Sequence, residues 1–229
     1  MRKKKGPFIH MHRLHLFFVF IIDTIFPQSC IGCSVNRFLL CPQCGNALPL
    51  ANPSPHPNIV SVFDYQNKII RKSIWKFKYK NARGFASYFG KRLYEEIIGN
   101  LGEELSVSKK EPFLIVPIPL HKKRLRERGY NQSELLVQEI IKNDRDNLFK
   151  YSPYALIRTR ETKPQARTEK RATRLENLRG AFEAKEDLVY GKNIILIDDV
   201  TTSGATLQEA RKALRVKGAK SIQSYTIAH

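Results

Sequence analysis

The sequence predicts an α/β fold with a central, mostly parallel sheet, preceded by a small separate module. Three observations carry that expectation. Apolar strand-like runs alternate with stretches of helical periodicity across residues 58–229. The run NIILIDDVTTSGAT at 193–206 passes from four apolar residues to two aspartates and then to small and hydroxyl-bearing residues, so a strand, a turn and a helix start follow one another. All four cysteines fall between Cys30 and Cys44, ahead of an ANPSPHP linker at 51–57 whose alternate prolines keep it extended. The chain therefore divides into an N-terminal helix with a four-cysteine module, 1–50, and a main domain, 58–229.

Basic residues 2–5 followed by the apolar LHLFFVFIIDTI at 14–25 imitate a signal peptide. The imitation fails at Asp23, which interrupts the run, and at the missing small-residue cleavage site; the run is also too short to span a bilayer. It reads as a short helix against the cysteine module, with peripheral membrane contact as the competing role. His10, His12 and His15 receive no role. Cys30-x2-Cys33 and Cys41-x2-Cys44 can each offer two thiolates to one tetrahedral zinc. Four ligands leave no open position, so such a metal is structural; a pair of disulfides is the rival reading.

In the main domain, residues 59–65 read as a strand and 68–77 as a helix with Ile69, Ile70, Ile74 and Phe77 at helical spacing. Trp75, the sole tryptophan, is expected in the core, with base stacking as the alternative. Phe85, Tyr88, Phe89 and Leu93 mark a second apolar helix face, and 113–118 a second strand that the prolines at 117 and 119 end. In LHKKRLRERGYNQSELL, 120–136, Gly129 and Asn131 predict a turn, Ser133 a helix start and 134–141 a helix. Lys122, Lys123, Arg124, Arg126 and Arg128 then gather at a strand exit, where pyrophosphate can be received. A short strand at 156–158 leads into a polar loop, 159–177, long enough to be an active-site cover. Residues 180–182, a strand at 193–197, a helix from about 206 to 216 and a strand at 222–228 complete the pattern.

Asp198 and Asp199 fall at the carboxyl end of a buried strand, where open α/β sheets place ligands, and suit ribose hydroxyls. After them Val200, Thr201, Thr202, Ser203, Gly204, Ala205 and Thr206 let backbone N–H groups close on a phosphate at a helix N-terminus. An ordinary N-capped helix is the alternative. A Walker loop is excluded, because no Gly-Lys-Ser/Thr follows the strand. Forty Lys and Arg against 21 Asp and Glu give a net charge of +19, which favours polyanions: nucleic acid, a membrane surface or a highly charged small ligand. The basic residues cluster at 122–128, 158–179 and 211–220.

The 193–206 run resembles the phosphoribosyl pyrophosphate loop of type I phosphoribosyltransferases. Taken with CIGC and CPQC at 30–44, VPIPLHKKRLRERGYNQSELL from Val116, Arg158-Thr159, Pro164-Gln165, and Arg174-x-x-Asn177 before GAF at 180–182, the chain is similar to the ComF family of bacterial competence proteins. That resemblance implies a type I phosphoribosyltransferase-like fold with a central mostly parallel sheet, plus a small N-terminal zinc-binding module. It implies phosphoribosyl pyrophosphate as ligand, with Mg²⁺, held by Asp198 and Asp199 on the ribose, residues 200–206 on the 5′-phosphate, and Arg124, Arg128 and Arg158 on the pyrophosphate. It further implies single-stranded DNA handling during natural transformation, with competence helicase and recombination-loading proteins as partners, in the cytoplasm or at the inner face of its membrane. The alternative is an active phosphoribosyltransferase on an unidentified base or nucleotide, with Asp198 and Asp199 as the catalytic pair. No general base stands out, and His121 reads as a surface histidine.

Overall fold

The computed structural model describes residues 28–54, 56–107, 111–160 and 178–229. The expected apolar helix at 14–25, the three N-terminal histidines and most of the polar loop (161–177) lie outside the described residues. Contacts divide the chain into two compact units, Met1–Ala47 and Leu48–His229. Among the described residues no helix is long and apolar enough to cross a membrane.

The first unit is built from tight turns. Ser34 N–H donates to the Cys30 carbonyl at 2.8 Å, Arg37 N–H to Gln28 at 2.7 Å, and Ser29 and Asn36 form an antiparallel bridge. Pro42 then starts the short helix α1 (Pro42–Asn46), where its missing N–H costs nothing.

Among the described residues the second unit carries seven strands: β1 (Ile59–Phe63), β2 (Phe113–Pro117), β3 (Phe149–Tyr151), β4 (Leu156–Arg158), β5 (Phe182–Ala184), β6 (Asn193–Val200) and β7 (Ser221–Ala228). Five of them form one sheet in the order β1-β7-β6-β2-β3, every pair parallel, while β4 and β5 make a separate antiparallel pair. Ile194, Ile195, Leu196 and Ile197 are wholly buried at the centre, which is why this strand reads as an unbroken apolar run rather than an alternating one. Leu114, Val116, Ile194 and Leu196 share a core with Leu207, Ala210 and Leu214 of α7 (Ala205–Val216) and with Phe182. Their sequence neighbours Ile115, Ile195 and Ile197 serve the other face. Helices α3 (Phe85–Val107) and α5 (Gln132–Asn143) pack on one another and on strands of the sheet. A Cβ at Gly90 would collide with Glu139 Cβ, so only glycine permits that helix approach.

Helix α2 (Lys68–Tyr79) begins where the Asn67 side chain accepts from the Ile69 and Ile70 N–H groups, at 2.9 and 3.2 Å. Ile70, Ile74 and Phe77 are buried as expected, but Trp75 is not: it is 49% exposed. The helical period sets Trp75 with Lys68, Lys72 and Tyr79, on the face opposite the core.

Three elements carry too little pattern to be read from sequence. The basic run expected as a strand exit and turn is itself a helix, α4 (Lys122–Arg128), with no buried residue. It is capped by His121, whose Nδ1 accepts from Lys123 N–H, and ended by Gly129 at φ 76°, a left-handed conformation that glycine adopts without strain. Strand β3 has three residues, and α6 (Glu186–Val189) has four. The α5 start also shifts: Asn131, not Ser133, is the cap.

Candidate functional site

Strands β2 and β6 lie side by side, yet their chains leave in opposite directions. From β2 the chain runs through α4 and α5 to β3 at one edge, and from β6 it runs through α7 to β7 on the other side. A crevice opens at the carboxyl ends of such a strand pair, and ligands of open α/β sheets lie there. Strand β6 reaches farther than expected, to Val200, so Asp198 and Asp199 stand on the sheet rather than beyond it. Asp198 is in register with Thr226, Val200 with Ala228, and Thr201 N–H continues the ladder to the Ala228 carbonyl at 3.1 Å. The carboxylates are thus fixed to a paired backbone.

The hydroxyl-rich turn follows at once. Gly204 adopts φ 73°, and α7 starts at Ala205, one residue earlier than expected, with no side chain capping it. That geometry departs from the ordinary capped helix and leaves first-turn N–H groups for another acceptor. The His56 ring braces the turn, with Nε2 3.1 Å from the Ser203 carbonyl and Nδ1 3.2 Å from the Gln208 amide. His56 escaped the sequence reading because it sits among linker prolines with no motif around it.

A second unanticipated residue closes the site. Lys78, from the last turn of α2, pairs with Asp199 at 2.8 Å, and the Ser133 hydroxyl donates to Asp198 at 3.0 Å. Burial, then the charge of Asp199, push the Asp198 carboxyl up to about 7, against the opposing pull of Lys78, the Asp199 N–H and Ser133. Burial works against the Lys78 charge, but Asp199 and Asp198 outweigh it and raise its pKa.

Three of the basic residues expected at the site, Arg124, Arg128 and Arg158, lie within electrostatic reach of Asp198, of Lys78 or of one another. Burial lowers the Arg158 pKa, as does the Arg124 charge, while Asp198 acts in the opposite sense. The Arg128 charge opposes that of Lys78. Arg128 also donates to Gln132 Oε1 at 2.9 Å and lies 5.1 Å from the centre of the Tyr79 ring. RERGYNQ earns its place as a clamp: the Tyr130 hydroxyl donates to the Phe77 carbonyl beside Lys78, and the Asn131 amide donates to Ile118 at the end of β2 at 3.0 Å. Arg211, expected on the basic surface, is instead buried and donates to the Ile222 carbonyl.

The Asp198 shift has a definite sign. The folded protein holds a proton that the unfolded chain has already released, so this group erodes stability progressively from about pH 4 to about pH 7. In Asp199→Asn the adjacent charge is gone, and the Asp198 midpoint, followed by carboxyl ¹³C NMR, is expected to fall below that of the parent. An unmoved midpoint would assign the whole shift to burial.

In the cysteine unit, the four Sγ atoms of Cys30, Cys33, Cys41 and Cys44 lie within 4.8 Å of one another, and none is in a disulfide. Zinc with four bonds of about 2.3 Å spaces its sulfurs by about 3.8 Å, and the Cys33 and Cys41 sulfurs are 3.6 Å apart. Backbone N–H groups of Gly32 and Cys41 point at Cys30 Sγ, at 3.4 and 3.3 Å. Burial pushes the Cys30 thiol up, but these donors with that of Cys33 bring it down to about 6. A cluster of this shape and donor set can hold zinc.

The family model for the phosphoribosyl transferase domain matches residues 133–229, the stretch that carries Ser133, β6, the hydroxyl turn and α7. The DNA utilization protein YhgH of Escherichia coli K12 is 32% identical over 201 residues, spanning 82% of this chain and 83% of its own. Competence protein ComFC of Bacillus subtilis 168 is 37% identical over 173 residues, 73% of this chain and 62% of its own. Competence protein F of Haemophilus influenzae Rd is 27% identical over 216 residues, 87% and 89% of the two chains. With a parallel sheet of the expected phosphoribosyltransferase type and a four-cysteine cluster ahead of it, the chain belongs to the ComF family of competence and DNA utilization proteins.

Proposed function

We propose that the crevice between β2 and β6 binds phosphoribosyl pyrophosphate with Mg²⁺, and that the protein uses this site while handling single-stranded DNA taken up by the cell. One observation carries the first half: two adjacent carboxylates fixed on the end of a central strand, followed through the hydroxyl-rich turn by a left-handed glycine and an uncapped helix start. Asp198 and Asp199 would hold the ribose hydroxyls, and the N–H groups and hydroxyls of residues 201–206 the 5′-phosphate. Arg124, Arg128 and Arg158 would meet the pyrophosphate. Magnesium, which keeps substrate oxygens among its ligands, would neutralise the pyrophosphate. Support for the second half comes from the +19 charge and from relatives named for competence and DNA utilization. Zinc in the cysteine unit is structural in this reading, and the protein works in the cytoplasm.

Calorimetric titration with phosphoribosyl pyrophosphate and Mg²⁺ tests the site. Asp198→Asn with Asp199→Asn is expected to weaken binding at least about tenfold, the loss of one or more charge-assisted contacts; equal affinity removes the assignment. Single-strand binding is expected to weaken with salt at a slope of about −0.7 per phosphate neutralised.

A further inference from the structure

Helix α2 has two working faces. Lys78 turns one toward the crevice, while the stripe of Lys68, Lys72, Trp75 and Tyr79, about 16 Å long at helical rise, meets solvent. Trp75 is 49% exposed and Tyr79 59%, their ring centres 6.3 Å apart. Each ring is already attended by a cation, Lys80 Nζ 5.3 Å from the Trp75 centroid and the Arg128 guanidinium 5.1 Å from that of Tyr79. The helix carries five Lys or Arg residues and no carboxylate.

An exposed tryptophan and tyrosine one turn apart forgo apolar burial and keep only each other and the cations beside them as contacts within the fold. Set among cations, they match what single-stranded nucleic acid presents: flat bases, each with a π-face, on an anionic backbone. Duplex DNA offers the phosphates but keeps its bases stacked inside. We infer that the Trp75–Tyr79 face of α2 is a stacking platform for unpaired bases, with Lys68, Lys72 and Lys80 on the flanking phosphates. The inference rests on the single-strand reading above and places it beside the sugar-phosphate crevice, since Arg128 and Lys78 belong to the same stretch of surface.

The test uses the full chain and a fluorescently labelled oligothymidine, followed by anisotropy at several salt concentrations, with thermal melting as the check on folding. Trp75→Ala is expected to weaken binding by about 5- to 160-fold, the span of one base-aromatic stack. The salt slope should stay unchanged, because no phosphate contact is removed. Trp75→Phe, which keeps a ring, should recover most of the affinity, and phosphoribosyl pyrophosphate titration of both variants should match the parent. Parent-like oligothymidine affinity in Trp75→Ala overturns the platform while leaving single-strand binding intact. Absence of binding by the parent protein at low salt overturns the single-strand reading and the platform together. A parent that self-associates, with Trp75→Ala monomeric and unchanged toward oligothymidine, assigns the face to a second copy of this chain and also overturns it.

Discussion

Replacing Cys41 with serine is expected to cost the protein its zinc. Cys41 is placed at the junction of the cluster: its thiol lies 3.6 Å from that of Cys33, its N–H points at Cys30 Sγ, and its own Sγ accepts from Cys44 N–H at 3.5 Å. Without metal the four sulfurs have no common partner to neutralise them, and Cys44, beside the thiols of Cys41 and Cys33, is pushed up to about 12. A unit this small has few buried side chains, Cys30, Leu40 and Cys41 among them, and structural zinc supplies about 10–16 kcal/mol in peptides of comparable size. The parent should carry one zinc per chain by mass spectrometry under native conditions. Cys41→Ser, and the parent after chelation, should lose both zinc and hydrogen-exchange protection at the amides of Gly32, Cys41 and Cys44. Retention of stoichiometric zinc in the variant would break the four-thiolate assignment.

The second large effect lies at Gly204. Its φ of 73° costs an L side chain about 1–2 kcal/mol, and a Cβ there would stand 2.8 Å from the His56 ring. That ring cannot swing away cheaply, because Ser203 and Gln208 hold both its nitrogens. Gly204→Val adds branching to both problems, for a total of about 2–5 kcal/mol with overpacking included. If the turn keeps its shape, the cost appears as a lower melting temperature; if it deforms, it appears as lost affinity for phosphoribosyl pyrophosphate, by tens to thousands of fold. His56→Ala in the same background should return part of whichever is lost. A Gly204→Val protein with parental stability and affinity would show that the left-handed turn has no bearing on the site.

How much of this was legible beforehand follows from the range of each interaction. Strand β6 and helix α7 were readable because a strand buried on both faces must be apolar throughout, and the helix after it keeps a single apolar stripe through Leu207, Ala210 and Leu214. The carboxylates and the hydroxyl turn were readable because their chemistry is contiguous. Lys78 and His56 were not, since each acts on a partner far along the chain and neither carries a local signature. Helix α4 was missed because its one apolar residue, Leu125, is 42% exposed, leaving no stripe to detect. Trp75 departs from the core for a different reason: position outranks residue type, and Lys68, Lys72 and Tyr79 mark its helical face as polar.

The pairing of Lys78 with Asp199 gives the crevice a discriminating character. The carboxylate end of β6 is not a bare anion, because the Lys78 ammonium is tethered to Asp199. Any visitor must displace before it can dock. A lone divalent cation would satisfy Asp199 and strand the partly buried Lys78; a lone phosphate would satisfy Lys78 and strand the buried Asp199, and either orphan is costly. Only a molecule that brings hydroxyls or metal and phosphate together answers both at once. Under the proposed function, selectivity for a phosphorylated sugar over its separate parts is the expected result of an exchange of partners that has to be completed on two sides.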